Sequence, residues 1–217
     1  TAPQQHWRNV LLHSPQTQSW TLTEESRNRT NLLRLKVERE KLSDGMDRYK
    51  YLNSLNLMVK INEIHNRNDQ LYNRAFELLN KTNQFNTTGK RWRESELLDF
   101  LMSKRGTIYS ANVRDRFANH GLTAMAIVSG STIIQFVMSC RIFGLGIEIA
   151  LLNQIMKKMH DSGIDKITAA VKDTGRNASS RDFYRSNGFS LDHIEDGEME
   201  IWAENGVQNA PEWIIFE

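Results

Sequence analysis

The chain has little of what several structural classes require. It holds one cysteine, Cys140, in 217 residues, which excludes a disulfide-stapled scaffold. Its 3 prolines and 12 glycines exclude collagen-like and proline-rich disordered chains. No run approaches the roughly 18 uninterrupted apolar residues that a membrane-spanning helix needs, so no membrane partner is expected. No charged start followed by an apolar core marks a secretory signal, and Thr1 in place of Met fits excision from a longer protein. The default setting is therefore reducing and cytoplasmic. Basic residues are missing from one region altogether: residues 190–217 carry no Lys or Arg against 8 Asp and Glu.

What is present suits an ordinary globular protein, with 39% hydrophobic and 25% charged residues. The length fits one large domain with a helical appendage, and a domain of roughly 150 residues needs no staple to hold it. The net charge of +2 conceals an asymmetry: residues 55–189 carry 19 Lys and Arg against 12 Asp and Glu. A basic middle suits an anionic ligand. The absence of a dense Lys/Arg stripe with interleaved aromatics argues against nucleic acid.

Residues 1–54 read as a helical extension. His6 to His13 is a short amphipathic stretch, and Thr23 with Glu24 and Glu25 has the chemistry of a helix start. Leu32, Leu33, Leu35, Val37 and Leu42 are too unevenly spaced for a core helix, so this segment is expected to lie against a neighbouring body. Asp44-Gly45 ends it, and Tyr49 to Leu55 reads as a further short turn. Residues 55–217 read as one domain. Strands are expected at 57–61, 107–113, 122–128, 132–138, 166–171, 199–203 and 213–216, with another opening at Phe189. Helices are expected at 70–79, 94–102, 146–159 and 177–186. That order predicts a mixed, mostly antiparallel α/β sheet flanked by helices.

The sharpest local signal is Cys140-Arg141-Ile142-Phe143-Gly144-Leu145-Gly146, between a strand and the long apolar helix. Two glycines there let backbone N–H groups turn toward an anion, and the helix N-terminus adds partial positive charge. A pyrophosphate or phosphopantetheine phosphate is the natural guest, which requires the turn to face an open groove. A hairpin centred on Gly130 pairs residues whose numbers sum to 260. Val128 then faces Thr132, and His120 faces Cys140, within reach to orient or deprotonate the thiol. The polar, uncharged loop Asn83-Gln84-Phe85-Asn86-Thr87 offers amides for hydroxyl groups. Asn177 has the position of a helix cap. No histidine spacing suggests a metal site.

In context, Arg-x-x-Gly-x-Gly between a hairpin and a helix, followed by Asn177-x6-Tyr184-x3-Gly188-Phe189, resembles the GNAT acyltransferase superfamily over residues 57–203. The resemblance implies that Arg141, Phe143, Gly144, Leu145 and Gly146 cradle a coenzyme A pyrophosphate. It also implies that Asn177 and Tyr184 line the thioester. A narrower resemblance runs through Leu79 to Asn86, Asp115 to Leu122, Ser139-Cys140-Arg141 and Arg181-Asp182-Phe183-Tyr184, with Leu22-Thr23-Glu24-Glu25 and Pro211-Glu212-Trp213-Ile214 near the two ends. These segments are similar to the C-terminal half of FkbH-like proteins. That family makes the glyceryl-acyl carrier protein used as a methoxymalonyl-type polyketide extender or starter unit.

The resemblance implies acyl transfer to the phosphopantetheine thiol of an acyl carrier protein. With the expected register, Cys140 and His120 are the catalytic candidates, and the loop amides of Asn83, Gln84 and Asn86 are expected to hold the glyceryl group. The resemblance further implies a haloacid-dehalogenase-like phosphatase half as partner, because no Asp-x-Asp after an apolar strand occurs here. The competing expectations are an acetyl-coenzyme A N-acetyltransferase and a non-catalytic module that docks a carrier protein.

Overall fold

A computed structural model describes residues 27–103, 106–195, 197–206 and 209–217. The His6–His13 stretch and the Thr23 helix start lie outside the described residues. In chain order the elements are α1 (Arg29–Ser43), α2 (Arg48–Ser54), β1 (Leu57–Ile64), α3 (Tyr72–Lys81), α4 (Glu94–Met102), β2 (Gly106–Arg114), β3 (Asn119–Ser129), β4 (Thr132–Met138), α5 (Ile147–Asp161), β5 (Thr168–Lys172), α6 (Ala178–Arg181), β6 (Phe189–Glu195), β7 (Met199–Glu204) and β8 (Ile214–Phe216). The strands form one eight-stranded sheet in the order β6-β7-β5-β4-β3-β2-β1-β8. Two pairs, β4–β5 and β1–β8, are parallel and the other five are antiparallel, so the sheet is mixed and mostly antiparallel as the sequence predicts.

Alternation along the strands sorts side chains to two faces. On β3, Leu122, Met125 and Ile127 join the cluster under α3 and α4, whereas Ala124, Ala126 and Val128 join the cluster under α5. The sheet is thus covered on both sides, which is why its central strands read as near-continuous apolar runs. Ile147, Ala150, Leu151, Ile155 and Met159 repeat at helical spacing and seat α5 on the sheet. The helix ends where Gly163 turns to a positive φ and donates to His160 O at 2.8 Å, with Ile164 N reaching Met159 O.

The helix expected at 177–186 is shorter. Ala178–Arg181 is α-helical, and Arg185–Asn187 closes as a separate 3₁₀ turn onto Gly188. The α2 helix starts as its sequence allows, with Asp47 accepting from the N–H groups of Tyr49 and Lys50. Both N-terminal helices lie against the body: Leu32 and Leu52 are buried, and so is Arg39.

The expected hairpin register is corrected. Ser129 pairs with Thr132, so the turn has two residues and Gly130 takes a positive φ at its first position. A bulge after Ile127 then moves the pairing again, and Ala124 faces Met138. Because β4 ends at Met138, Cys140 leaves the sheet in a 3₁₀ turn and does not face His120.

Candidate functional site

The parallel strands β4 and β5 pair only at Thr132–Thr168 and Ile133–Ala169, then diverge. Left open, the gap would strand facing backbone groups, at about 1–3 kcal/mol for each buried group left unpaired. The segment Phe85–Thr88 fills it. Met138 N donates to Phe85 O at 3.0 Å and Thr87 N to Phe136 O at 3.0 Å, while Lys172 N on β5 donates to Thr87 O at 2.8 Å. Asn86 bridges to Val137, and the Thr87 hydroxyl accepts from Phe136 N.

Polar side chains lock this insertion. The Asn177 amide nitrogen donates to Asn86 O at 2.9 Å and to Lys172 O at 2.8 Å, and its oxygen accepts from Thr174 N. The Asn86 side-chain oxygen Oδ1 accepts from Gly89 N and from Gln135 Nε2, both at 2.9 Å. Phe85 packs on Phe136, Phe143 and Phe183, with ring centroids 5.2–6.0 Å apart. Tyr184 lies fully buried between Phe183 and Phe189, with the Thr87 side chain beside its hydroxyl, and burial pushes that phenol far above its ordinary range. The structure therefore places Asn86, Asn177 and Tyr184 inside the packing that closes the gap.

On the α3 side of this insertion the chain leaves an open cavity of about 400 Å³. Its wall brings together Asn83, Gln84, Cys140, Arg141 and Phe143, which the sequence singled out from two distant segments. Cys140 is exposed, as are Asn83 and Gln84. Arg74, Lys81 and Arg141 contribute three cations to the wall against one carboxylate, Glu77, which holds Arg74 and Lys81 at 2.8 Å. Arg91 orients Asn83 through its side-chain oxygen and is anchored to Leu79 O at 2.7 Å. The size matches a small-molecule site, and the excess of positive charge suits an anion or a carbonyl oxygen gathering negative charge.

The glycine turn is gripped from outside. Lys36 reaches Cys140 O at 3.4 Å, Arg39 reaches Arg141 O at 2.7 Å and Arg48 reaches Gly144 O at 2.9 Å. Trp213 Nε1 donates to Leu145 O at 2.8 Å. Four carbonyls of residues 140–145 are thus fixed by donors from the N-terminal helices and from the segment before β8. Gly146 takes φ +82°, and a Cβ there would lie 3.0 Å from Pro211 and 3.2 Å from Trp213. Only glycine fits this turn without moving its cover. Phe85–Thr88 occupies the strand gap beside the turn, and Gly144 and Leu145 line a separate cavity of about 280 Å³ with Arg39 and Arg48. Phe143 borders both cavities.

His120 is 2% exposed and donates from Nε2 to Asp115 Oδ2 at 3.0 Å. The same oxygen accepts from Arg39 Nη1 at 3.0 Å, and Oδ1 accepts from the N–H groups of Phe117 and Ala118. Burial opposes the charge on Asp115, yet the His120 contact and the two backbone donors overcome it and hold the carboxyl at about 2. Arg39 spans this group and the carbonyl of Arg141, so His120 meets the Cys140 turn through two intermediaries rather than directly.

Sequence reasoning missed Lys36, Arg39, Arg48, Asp115 and Trp213 as partners of the turn. Arg39 and Asp115 are 76 residues apart, and no local pattern joins them. The signal that Phe85–Thr88 is internal was present in the lack of any charged residue from Thr82 to Gly89. Among the described residues, no cluster of His, Cys, Asp or Glu could hold a metal ion, and no helix is long and apolar enough to cross a membrane.

No protein-family model and no curated protein sequence matches the chain. Similar solved structures include a provisionally assigned acetyltransferase of Acinetobacter baylyi ADP1, at 15% identity over 70% of this chain and 96% of that one, with a TM-score of 0.49. A GNAT-family acetyltransferase of Streptococcus pneumoniae is 14% identical over 67% of this chain and 96% of its own, with a TM-score of 0.47. A Bacillus subtilis acetyltransferase, solved in complex with coenzyme A, is 16% identical over 67% and 97%, with a TM-score of 0.46.

Proposed function

We propose that the chain is an acyl-transferring domain that takes a glyceryl group on the Sγ of Cys140 and passes it to the phosphopantetheine thiol of an acyl carrier protein. One observation carries this reading. The only thiol in the sequence lies exposed in a cavity whose wall also bears Asn83, Gln84 and Arg141. The resemblance to FkbH-like proteins supplies the acyl group and the carrier.

In the first step the Cys140 thiolate attacks the carbonyl carbon of a glyceryl acyl phosphate. The C–S bond forms, the bond between the carbonyl carbon and the bridging oxygen breaks, phosphate leaves with that oxygen, and the thiol proton has gone to water. In the second step the carrier thiol attacks the Cys140 thioester. A new C–S bond forms, the bond to Cys140 breaks, and the released thiolate recovers a proton. Positive charge from Arg74, Lys81 and Arg141 favours the oxygen anion of each tetrahedral intermediate. Asn83 and Gln84 offer amides to the glyceryl hydroxyls. His120 acts as a positioning residue, through Asp115 and Arg39, on the carbonyl of Arg141. A haloacid-dehalogenase-like half handles the phosphate chemistry of the three-carbon donor.

Intact-protein mass spectrometry after incubation with 1,3-bisphosphoglycerate and the phosphatase half tests this directly. A glyceryl mass gain at Cys140 is expected. Formation of glyceryl-carrier protein at the wild-type rate by Cys140→Ser overturns the covalent step. Acetyl transfer from acetyl-coenzyme A to an amine, without any adduct, instead identifies an N-acetyltransferase. Glyceryl-carrier formation that survives joint substitution of Cys140, His120 and Arg141, with the phosphatase half supplied, identifies a docking module.

A further inference from the structure

We propose that Phe85–Thr88 permanently fills the gap between β4 and β5, and that a phosphopantetheine thiol arm therefore reaches Cys140 end-on through the cavity beside α3 rather than lying along β4 in that gap. This rests on the reading that the Cys140 cavity serves acyl transfer to such a thiol. An extended arm carrying amides is held most readily where two strand edges diverge and leave N–H and C=O groups to pair with it. Here those groups are taken. Phe136 O, Met138 N and Lys172 N already bond to Phe85 and Thr87. The insertion is buried along its whole length, from 0% exposure at Asn86 and Thr87 to 8% at Thr88.

Displacing the insertion would unpair several groups at once. The Asn177 amide would lose Asn86 O, and the buried Gln135 amide would lose Asn86 Oδ1 while keeping Lys90 O. The Phe85 ring would leave three aromatic neighbours. At the far end Gly89 takes φ +66°, with the Thr174 methyl 2.5 Å from where a Cβ would sit, so the exit of the segment is pressed against the loop after β5. A segment tied to β4, β5, Gln135, Asn177 and Thr174 is a built part of the packing and not a lid. What remains accessible is the cavity on its α3 side. Residues Asn83 and Gln84, directly before the insertion, form that cavity's wall together with Ser139 and Cys140. The arm's terminal thiol meets Cys140 there, and its phosphate end stays outside.

Amide hydrogen exchange, read by mass spectrometry on the full chain, tests this. The probes are coenzyme A and phosphopantetheinylated acyl carrier protein, run in parallel so that free and protein-borne arms are distinguished. With either probe the amides of Thr87, Met138 and Lys172 should exchange within about twofold of their rates without it. New protection should fall on residues 81–84 and 139–143. A manyfold faster exchange at Thr87 on adding either arm would show that the insertion is displaced and would overturn the proposal. Protection along Lys172 and Asp173 with none at 81–84 would overturn it equally. Asn177→Asp, which keeps the shape and removes the donor, supplies a second readout. It should raise exchange at Thr87 without any arm present, and unchanged exchange would count against the locked insertion. These outcomes are independent of the mass gain at Cys140: a protected insertion with no adduct sinks only the chemistry, and an adduct formed with a displaced insertion sinks only the route.

Discussion

The side-chain amide of Asn177 donates to the backbone carbonyl of Asn86 at 2.9 Å, joining segments 91 residues apart. Through this one side chain the loop after β5 and the insertion between β4 and β5 become a single hydrogen-bonded unit. Asn177→Ala removes bonds to Asn86 O, Lys172 O and Thr174 N from a fully buried site. It should cost about 2–4 kcal/mol, read as a lower urea midpoint with an unchanged slope.

Gly89 invites a paired test. Gly89→Ala places a Cβ 2.5 Å from the Thr174 methyl at a backbone φ that side chains rarely adopt. A loss of about 1–3 kcal/mol is expected. Thr174→Ser in the same chain removes the methyl but not the φ strain, so it should recover part of the loss and not all. Thermal unfolding of the wild type, the single variant and the double variant checks this.

The Arg39–Asp115 pair is buried, with side chains 3% and 0% exposed. Asp115→Asn leaves the Arg39 charge without its counterion and should destabilise by about 3–5 kcal/mol. The pH dependence has a definite sign. Because the folded-state carboxyl titrates at about 2, below its ordinary 3.8, the stability it contributes is present above pH 3.8 and is lost as pH falls toward 2. Wild type should therefore lose stability across that acid window more steeply than Asp115→Asn, as measured by urea midpoints at a series of pH values.

Tyr184 and Cys140 should part company in activity. Tyr184 is sealed beneath Phe183 and Phe189, whereas Cys140 is exposed in the cavity. On the function proposed above, Tyr184→Phe is expected to keep acyl transfer within about twofold, because the hydroxyl cannot reach a thiol outside the packing. Cys140→Ser should abolish the covalent adduct. A large loss in Tyr184→Phe at unchanged stability would put that hydroxyl back into the chemistry.

Much of the sheet could be read from the sequence because β-branched and apolar residues fill strands that are covered on both faces. The helix at 94–102 and the long helix before Gly163 followed from apolar spacing and terminal glycine. The His120–Cys140 pairing failed for a local reason: a two-residue turn and one bulge shift the register, and neither is fixed by composition. The insertion failed for a non-local one. Asn86 and Thr87 look like surface loop residues, and only Gln135, Phe136 and Asn177, far along the chain, satisfy them once buried. Cys140, Asn83 and Gln84 were singled out from two distant segments, and the fold brings those segments to one cavity wall.

The two ends of the described chain meet over the glycine turn. Tyr49 bonds Glu212 and packs edge-on to Trp213, and β8 runs beside β1. Such distant pairings carry a high loop-closure cost, since a long loop must close before they return any energy. A growing polypeptide could therefore assemble most of its sheet while the bend after Cys140 still lacked the tryptophan that tethers Leu145. The turn that exposes Cys140 would then take its final shape as the last act of folding.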